Sequence, residues 1–295
     1  MRFELVKPFI KWAGGKSQLL NDIRAKYPKE INYYCEPFVG GGAVLLDVLA
    51  NYHPEKVLIN DINSELVNTY RQVQNNVEAL IEQIFAMQTE FWAADTDSRK
   101  EIYAQNRQRF NDLKVFNDDN TSLKKASLFI FLNKTCFNGL YRVNSKGLFN
   151  VPIGSYKKPP ICDESNMRYI SKLLDGVQIK CGDYEKCKDF INEDTFVYID
   201  PPYRPLTATA SFTSYSENQF GDNEQLALGK FVDEITSKGA KVVASNSDPK
   251  NADENDHFFD NLYSSYSIER VLAKRMINSN GNSRGSISEL LICNY

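Results

Sequence analysis

Only two histidines, His53 and His257, occur in 295 residues, and neither lies in a motif that would use an imidazole. This argues against histidine-dependent catalysis, and both read as surface or helix-end residues. The six cysteines form no C-x-x-C pair, Cys181 and Cys187 being the nearest two. Neither a metal site nor a disulfide framework is therefore expected, and a reduced cytoplasm is the natural compartment. No apolar run approaches the roughly 20 residues that cross a bilayer. The opening Met1-Arg2-Phe3-Glu4 lacks the apolar core of a signal peptide, so no membrane partner is expected. Two nucleotide fingerprints are missing as well. Lys11-Trp12-Ala13-Gly14-Gly15-Lys16-Ser17 ends like a phosphate loop, but Ile10 stands where the first glycine belongs. The pattern G-x-G-x-x-G fails at Leu45, which disfavours a nicotinamide cofactor.

What is present points elsewhere. Asp200-Pro201-Pro202-Tyr203 directly follows the apolar run Phe196 to Ile199, which reads as a buried strand ending in a turn. An exocyclic amine on a nucleobase is a poor nucleophile because its lone pair is delocalised into the ring. The Asp200 carboxylate can accept one amine hydrogen and the Pro201 carbonyl the other, which returns electron density to nitrogen. Tyr203 can stack on the base. The plainer alternative is a polyproline turn in which Asp200 bonds nearby backbone. A second motif, Glu36-Pro37-Phe38-Val39-Gly40-Gly41-Gly42, joins the short strand Tyr33 to Cys35 to a helix from Ala43 to Leu49. Strand, glycine turn and helix form the nucleoside-binding corner of doubly wound sheets. The next strand, Lys56 to Ile59, leads to Asp61, spaced from the glycines as an acid that reads ribose hydroxyls would be. An ordinary tight turn remains the alternative there.

Charge is unevenly spread along the chain. Arg99 to Pro160 holds twelve Lys or Arg against four Asp or Glu, although the whole chain carries −3. A basic middle on an acidic body suggests a face that meets phosphates, a solvated helical surface being the alternative. Val77 to Trp92 and Leu123 to Asn133 read as helices, with a polar loop near Phe116 to Ser122. Alternation from Phe137 to Val151 around Asn144-Ser145-Lys146-Gly147 predicts a β-hairpin. A helix is predicted to start at about Ser17, another to span Asp222 to Ser237, and a strand Lys241 to Ala244. Tyr266 to Leu272 and Glu289 to Asn294 read as a closing antiparallel pair. The polar stretches Arg204 to Gly221 and Asn278 to Gly285 are candidates for ordering on substrate.

Together, Lys11 to Lys16, Glu36 to Gly42, Asn60-Asp61-Ile62-Asn63, Phe137-Asn138-Gly139-Leu140-Tyr141-Arg142, Phe149-Asn150-Val151-Pro152 and Asp200 to Tyr203 resemble the Dam/DpnM-type DNA adenine-N6 methyltransferases. The resemblance runs from Phe9 to Tyr295. It implies a Rossmann-like α/β sheet with an antiparallel last strand, formed by residues 1–64 and 176–295, and an inserted helical and hairpin recognition domain at 65–175. It implies S-adenosylmethionine as methyl donor, bound by Trp12, Lys16, Phe38, Gly40, Gly42, Asp61, Asp183, Tyr184 and Asp200. Asp200, Pro201, Pro202 and Tyr203 would hold a flipped adenine for direct displacement. Lys11, Phe137, Asn138, Leu140, Arg142, Pro152 and Arg284 would meet double-stranded DNA, with GATC as target and a restriction endonuclease as a functional counterpart. Two rivals stay open: methylation of an RNA or a protein amide, and a DNA-binding module without activity.

Overall fold

The computed structural model describes residues 6–115, 121–205, 220–274 and 286–295. Seven strands form one sheet: β1 Tyr33–Glu36, β2 Lys56–Asp61, β3 Gln178–Cys181, β4 Thr195–Ile199, β5 Lys241–Ser247, β6 Ser267–Lys274 and β7 Ser286–Cys293. Their order is β3-β2-β1-β4-β5-β7-β6. The first five are mutually parallel, and β7 lies antiparallel to both β5 and β6. β4 is buried along its whole length, as a strand covered on both faces must be, which explains its unbroken apolar run. Because β1 pairs with β2 on one side and β4 on the other, the chain reverses its winding there. The crevice outside the carboxyl ends of those strands is where such sheets bind ligands.

Among the described residues the helices are α1 Leu20–Arg24, α2 Ala43–Tyr52, α3 Ser64–Asn75, α4 Val77–Ala93, α5 Thr96–Val115, α6 Ser122–Thr135, α7 Glu164–Leu173, α8 Asp222–Ser237 and α9 Phe258–Leu262. Asn63 starts α3 by accepting the Leu66 N–H at 3.0 Å. α6 packs on α3, α4 and α5 and is buried on nearly every side, so it carries no amphipathic stripe. Through it one apolar core runs continuously from Tyr34 and Phe196 at the sheet to Phe110 and Phe149 beneath the basic segment. A second core, with Leu58, Val197, Phe231 and Leu290, fills the space under α8 on the opposite face.

The expected strands and helices form with small shifts at their ends, and three places differ. A 3-10 turn occupies Lys16–Gln18 and α1 begins only at Leu20, so Ser17 caps nothing. α3, α5, α7 and α9 had no sequence expectation of their own. The predicted hairpin is reduced to isolated antiparallel bridges, Val143 with Phe149 and Cys136 with Ile153. The cause lies in competing partners. Asn144 Oδ1 accepts the Leu148 N–H at 3.1 Å and Arg142 Nη2 donates to the Asn150 carbonyl at 3.4 Å, so side chains take groups a ladder would use. Phe137–Gly139 forms a 3-10 turn with Asn138 at φ +54°, which breaks extended geometry at the other end.

Candidate active site

The carboxyl ends of β1, β2, β4 and β5 converge on a group of polar side chains. Asp200 follows β4, and its Oδ1 lies 2.7 Å from Lys16 Nζ and accepts from Ser245 Oγ of β5 at 3.1 Å. Oδ2 has no hydrogen bond among the described residues. Lys16 is 3% exposed, so its ammonium depends on protein partners. It donates also to the Gly14 carbonyl and to the Tyr203 hydroxyl, both at 2.8 Å. Tyr203 in turn donates to Glu289 Oε2 of β7 at 2.9 Å. Burial, and then the nearby Asp200 and Glu289 carboxylates, push the Tyr203 phenol well above its usual range. Burial also raises Glu289, against the opposing pull of Lys16. The Pro202 carbonyl accepts from Gln225 Nε2 of α8 at 3.1 Å, and no hydrogen bond engages the Pro201 carbonyl among the described residues. Pro201 is buried and Pro202 exposed.

A second cluster lies at β1 and β2. Asp61 accepts from the Gly40 N–H at 3.0 Å and the Asn63 N–H at 2.9 Å. Burial raises its pKa, and these backbone donors oppose the shift. The glycine turn needs its glycines: Gly40 has φ +47°, and a Cβ there would meet the Trp12 indole at 2.9 Å. At Gly42, with φ +71°, a Cβ would lie 2.3 Å from the Tyr70 hydroxyl. Tyr70 is fully buried and donates to the Gly40 carbonyl at 3.0 Å. Glu36, 2% exposed, accepts the Tyr34 hydroxyl at 2.7 Å. Burial holds its carboxyl well above the ordinary range. Asn60 donates to the Pro37 carbonyl at 3.0 Å and the Gly182 carbonyl at 2.9 Å, while its buried Oδ1 has no partner among the described residues. Asp183 opens a 3-10 turn by accepting the Glu185 N–H at 2.9 Å. Phe38 and Tyr184 lie ring to ring at 5.4 Å, and Ile62 beside Asp61 is 62% exposed.

The third group comes from the basic segment. Asn133 of α6 accepts the Lys11 N–H at 2.8 Å and donates to the carbonyls of Lys11 and Gly139 at 2.7 and 3.1 Å. This joins the N-terminal loop to the turn that bears Phe137 and Asn138. Phe137 is 51% exposed, and its N–H donates to the carbonyl of exposed Pro152 at 2.9 Å. Leu140 is half-buried, and Arg142 is exposed with its Nε on Asn150 Oδ1 at 2.8 Å. Trp12 stacks on Tyr141 with centroids 6.0 Å apart, bridging this group to the glycine turn. Lys134 sits close to Lys11; burial first and Lys11 second lower its pKa to about 8. Arg284 lies outside the described residues, as do the polar stretch around it and most of Arg204 to Gly221.

The family model for the D12 class of N6 adenine-specific DNA methyltransferases matches residues 12–277. The chain belongs to that family. It is an adenine-specific DNA methyltransferase, and its sheet, mostly parallel with an antiparallel end, is consistent with a methyltransferase fold. A type II methyltransferase, M.MjaIII of Methanocaldococcus jannaschii, is 49% identical over 98% of this chain and 99% of its own length. DNA adenine methylases of Haemophilus influenzae and Escherichia coli are 35% and 33% identical over 97% of this chain, and over 92% and 94% of their own. Among the described residues no cluster of His, Cys, Asp or Glu could hold a metal, and no helix is long and apolar enough to cross a membrane.

Sequence reasoning on this methyltransferase missed Glu289, Ser245, Gln225, Asn133 and Tyr70, and gave Asn60 no role beyond its place in a motif. Each acts through a partner distant in the chain, so no local motif announces that contact. The one available signal was a charge inside an apolar pattern, Glu289 in Ser286–Cys293.

Proposed function

We propose that the enzyme transfers a methyl group from S-adenosylmethionine to adenine N6 in duplex DNA, at GATC, after the target base leaves the helix for the Asp200 to Tyr203 turn. The observation that carries this reading is the asymmetry of Asp200. One carboxylate oxygen is held by Lys16 and Ser245, and the other has no partner among the described residues. A carboxylate fixed at one oxygen is an oriented acceptor for an amine hydrogen. The Pro201 carbonyl, with no backbone N–H beside it, suits the second hydrogen. Bonding both hydrogens draws the nitrogen lone pair out of conjugation, which the displacement requires.

The donor would supply an electrophilic methyl on sulfur. Its nucleoside end suits the carboxyl ends of β1, β2 and β3, where Phe38 and Tyr184 pack ring to ring, Ile62 is exposed, and Asp61 and Asp183 provide carboxylates for hydroxyl and amino groups. Trp12, Lys16 and the turn from Phe38 to Gly42 would line the remainder. Residues 1–64 and 176–295 would make the catalytic part and residues 65–175 the target-recognition part. There Phe137 would wedge between bases, Arg142 would pair with guanine, and Lys11, Asn138, Leu140, Pro152 and Arg284 would complete the contact. The names of the relatives support adenine methylation generally, and the type II names favour a paired restriction endonuclease.

A radiolabelled transfer assay on duplexes with and without GATC tests the reading. Label is expected on adenine of the GATC duplex alone. Transfer to RNA or a protein amide, or none to either duplex, overturns it.

A further inference from the structure

The hydrogen-bonded chain through Tyr203 ends on a residue that no motif includes. Running outward from the proposed acceptor, Asp200 Oδ1 meets Lys16 Nζ at 2.7 Å, Lys16 donates to the Tyr203 hydroxyl at 2.8 Å, and Tyr203 donates to Glu289 Oε2 at 2.9 Å. Lys16 thereby donates to Tyr203 and the Gly14 carbonyl and forms an ion pair with Asp200. The Tyr203 hydroxyl accepts from Lys16, so its own proton must go to another acceptor, and the carboxylate of Glu289 provides it. Glu289 is 9% exposed, and Lys16 at 3.8 Å is the cation nearest to it in this chain of contacts. Its backbone is fixed on both sides, opposite Ser247 of β5 and Val271 of β6. The carboxylate is therefore mounted on a rigid central strand, whereas Tyr203 lies on a loop.

We propose that Glu289 is a positioning residue for methyl transfer: it orients the Tyr203 hydroxyl and, through Lys16, the Asp200 carboxylate. The proposal rests on the reading of Asp200 to Tyr203 as the adenine site. Glu289 does not touch the substrate. Its work is to hold the tyrosine ring in one place against Lys16, whose Nζ lies 4.9 Å from the ring centroid. Without it the hydroxyl would lose its acceptor in a buried setting and the loop would reorganise to find one.

The test is a double-mutant cycle read by single-turnover transfer at saturating DNA and donor. Glu289→Ala and Tyr203→Phe are each expected to slow transfer by about tenfold to a hundredfold, the loss of one charge-assisted hydrogen bond. KM for DNA and for donor is expected to stay within about twofold, since the effect falls on the reacting geometry. The double variant is expected to be no slower than the worse single one, because Glu289 acts through the hydroxyl that Tyr203→Phe removes. Glu289→Gln keeps an acceptor oxygen, so it is expected to recover most of the rate. Multiplicative losses in the double variant, or a folded Glu289→Gln as slow as Glu289→Ala, would overturn the proposal. A readout independent of activity uses ring-labelled tyrosine: the resonance absent from Tyr203→Phe is expected to shift in Glu289→Ala. An unmoved resonance in Glu289→Ala refutes the positioning role. Wild-type protein that transfers no label, with the resonance shifting, refutes the adenine-site reading instead.

Discussion

The end of the sheet and the basic segment hold their polar groups in opposite ways. At the sheet, Lys16, Asp200, Ser245, Tyr203 and Glu289 contact one another: Ser245 and Glu289 stand on strands and Asp200 directly follows one, and they hold Tyr203 of the next loop and Lys16 of the N-terminal turn in place. In the basic segment, Phe137, Asn138, Arg142 and Pro152 stand exposed on a loop whose bridges are isolated. A group that must meet a reacting atom within a fraction of an ångström benefits from a rigid mount. A group that must fit a nucleic acid surface benefits from exposure and local adjustment. The contrast predicts that substitutions at the sheet act on rate and those on the loop act on selection.

The largest break should come from Asp200→Ala, which leaves the amine hydrogen without its acceptor. Turnover is expected to fall by at least about a thousandfold, as for the loss of a central electrostatic group. Duplex affinity in a filter or anisotropy assay should change by less than about threefold. A wild-type rate would place the chemistry elsewhere. Gly42→Ala should come next, since a methyl 2.3 Å from the Tyr70 hydroxyl at φ +71° forces the turn apart. A loss of about 2 to 3 kcal/mol of stability is expected from chemical denaturation. Arg142→Ala should leave maximal turnover nearly intact while reducing discrimination against a single wrong base by about 1 to 3 kcal/mol. Equal discrimination by both proteins among single-base variants of GATC would remove Arg142 from recognition.

The smallest effect sharpens the contrast from within the sheet. Burial raises the Glu36 carboxyl well above its unfolded value. The folded state therefore binds the proton more tightly, and the stability this confers is present at low pH and lost as pH rises through the folded pKa. Glu36→Gln mimics the protonated acid and should match wild type in melting temperature at low pH. It should become the more stable of the two as pH rises. A gap that narrows with rising pH would contradict the assignment.

Local chemistry made part of this readable in the sequence. The glycine turn, the strand before Asp200 and the acid at Asp61 are short, contiguous patterns, and each lies where its pattern placed it. Lys16 and Tyr203, by contrast, stand 187 positions apart and still share a hydrogen bond. Nothing in either neighbourhood encodes the other. The hairpin expectation failed for another reason: alternation from Phe137 to Val151 reports which way side chains face, not that Asn144 and Arg142 bond the backbone of Leu148 and Asn150 in place of a full ladder.

Asn60 has one further consequence. By clasping the carbonyls of Pro37 and Gly182 together, it stitches the loop after β1 to the loop after β3. These loops, the walls of the proposed donor site, are then braced as one piece, and Asn60→Ala would leave only the backbone bonds of Val39 and Gly182 to β2 to hold them in step.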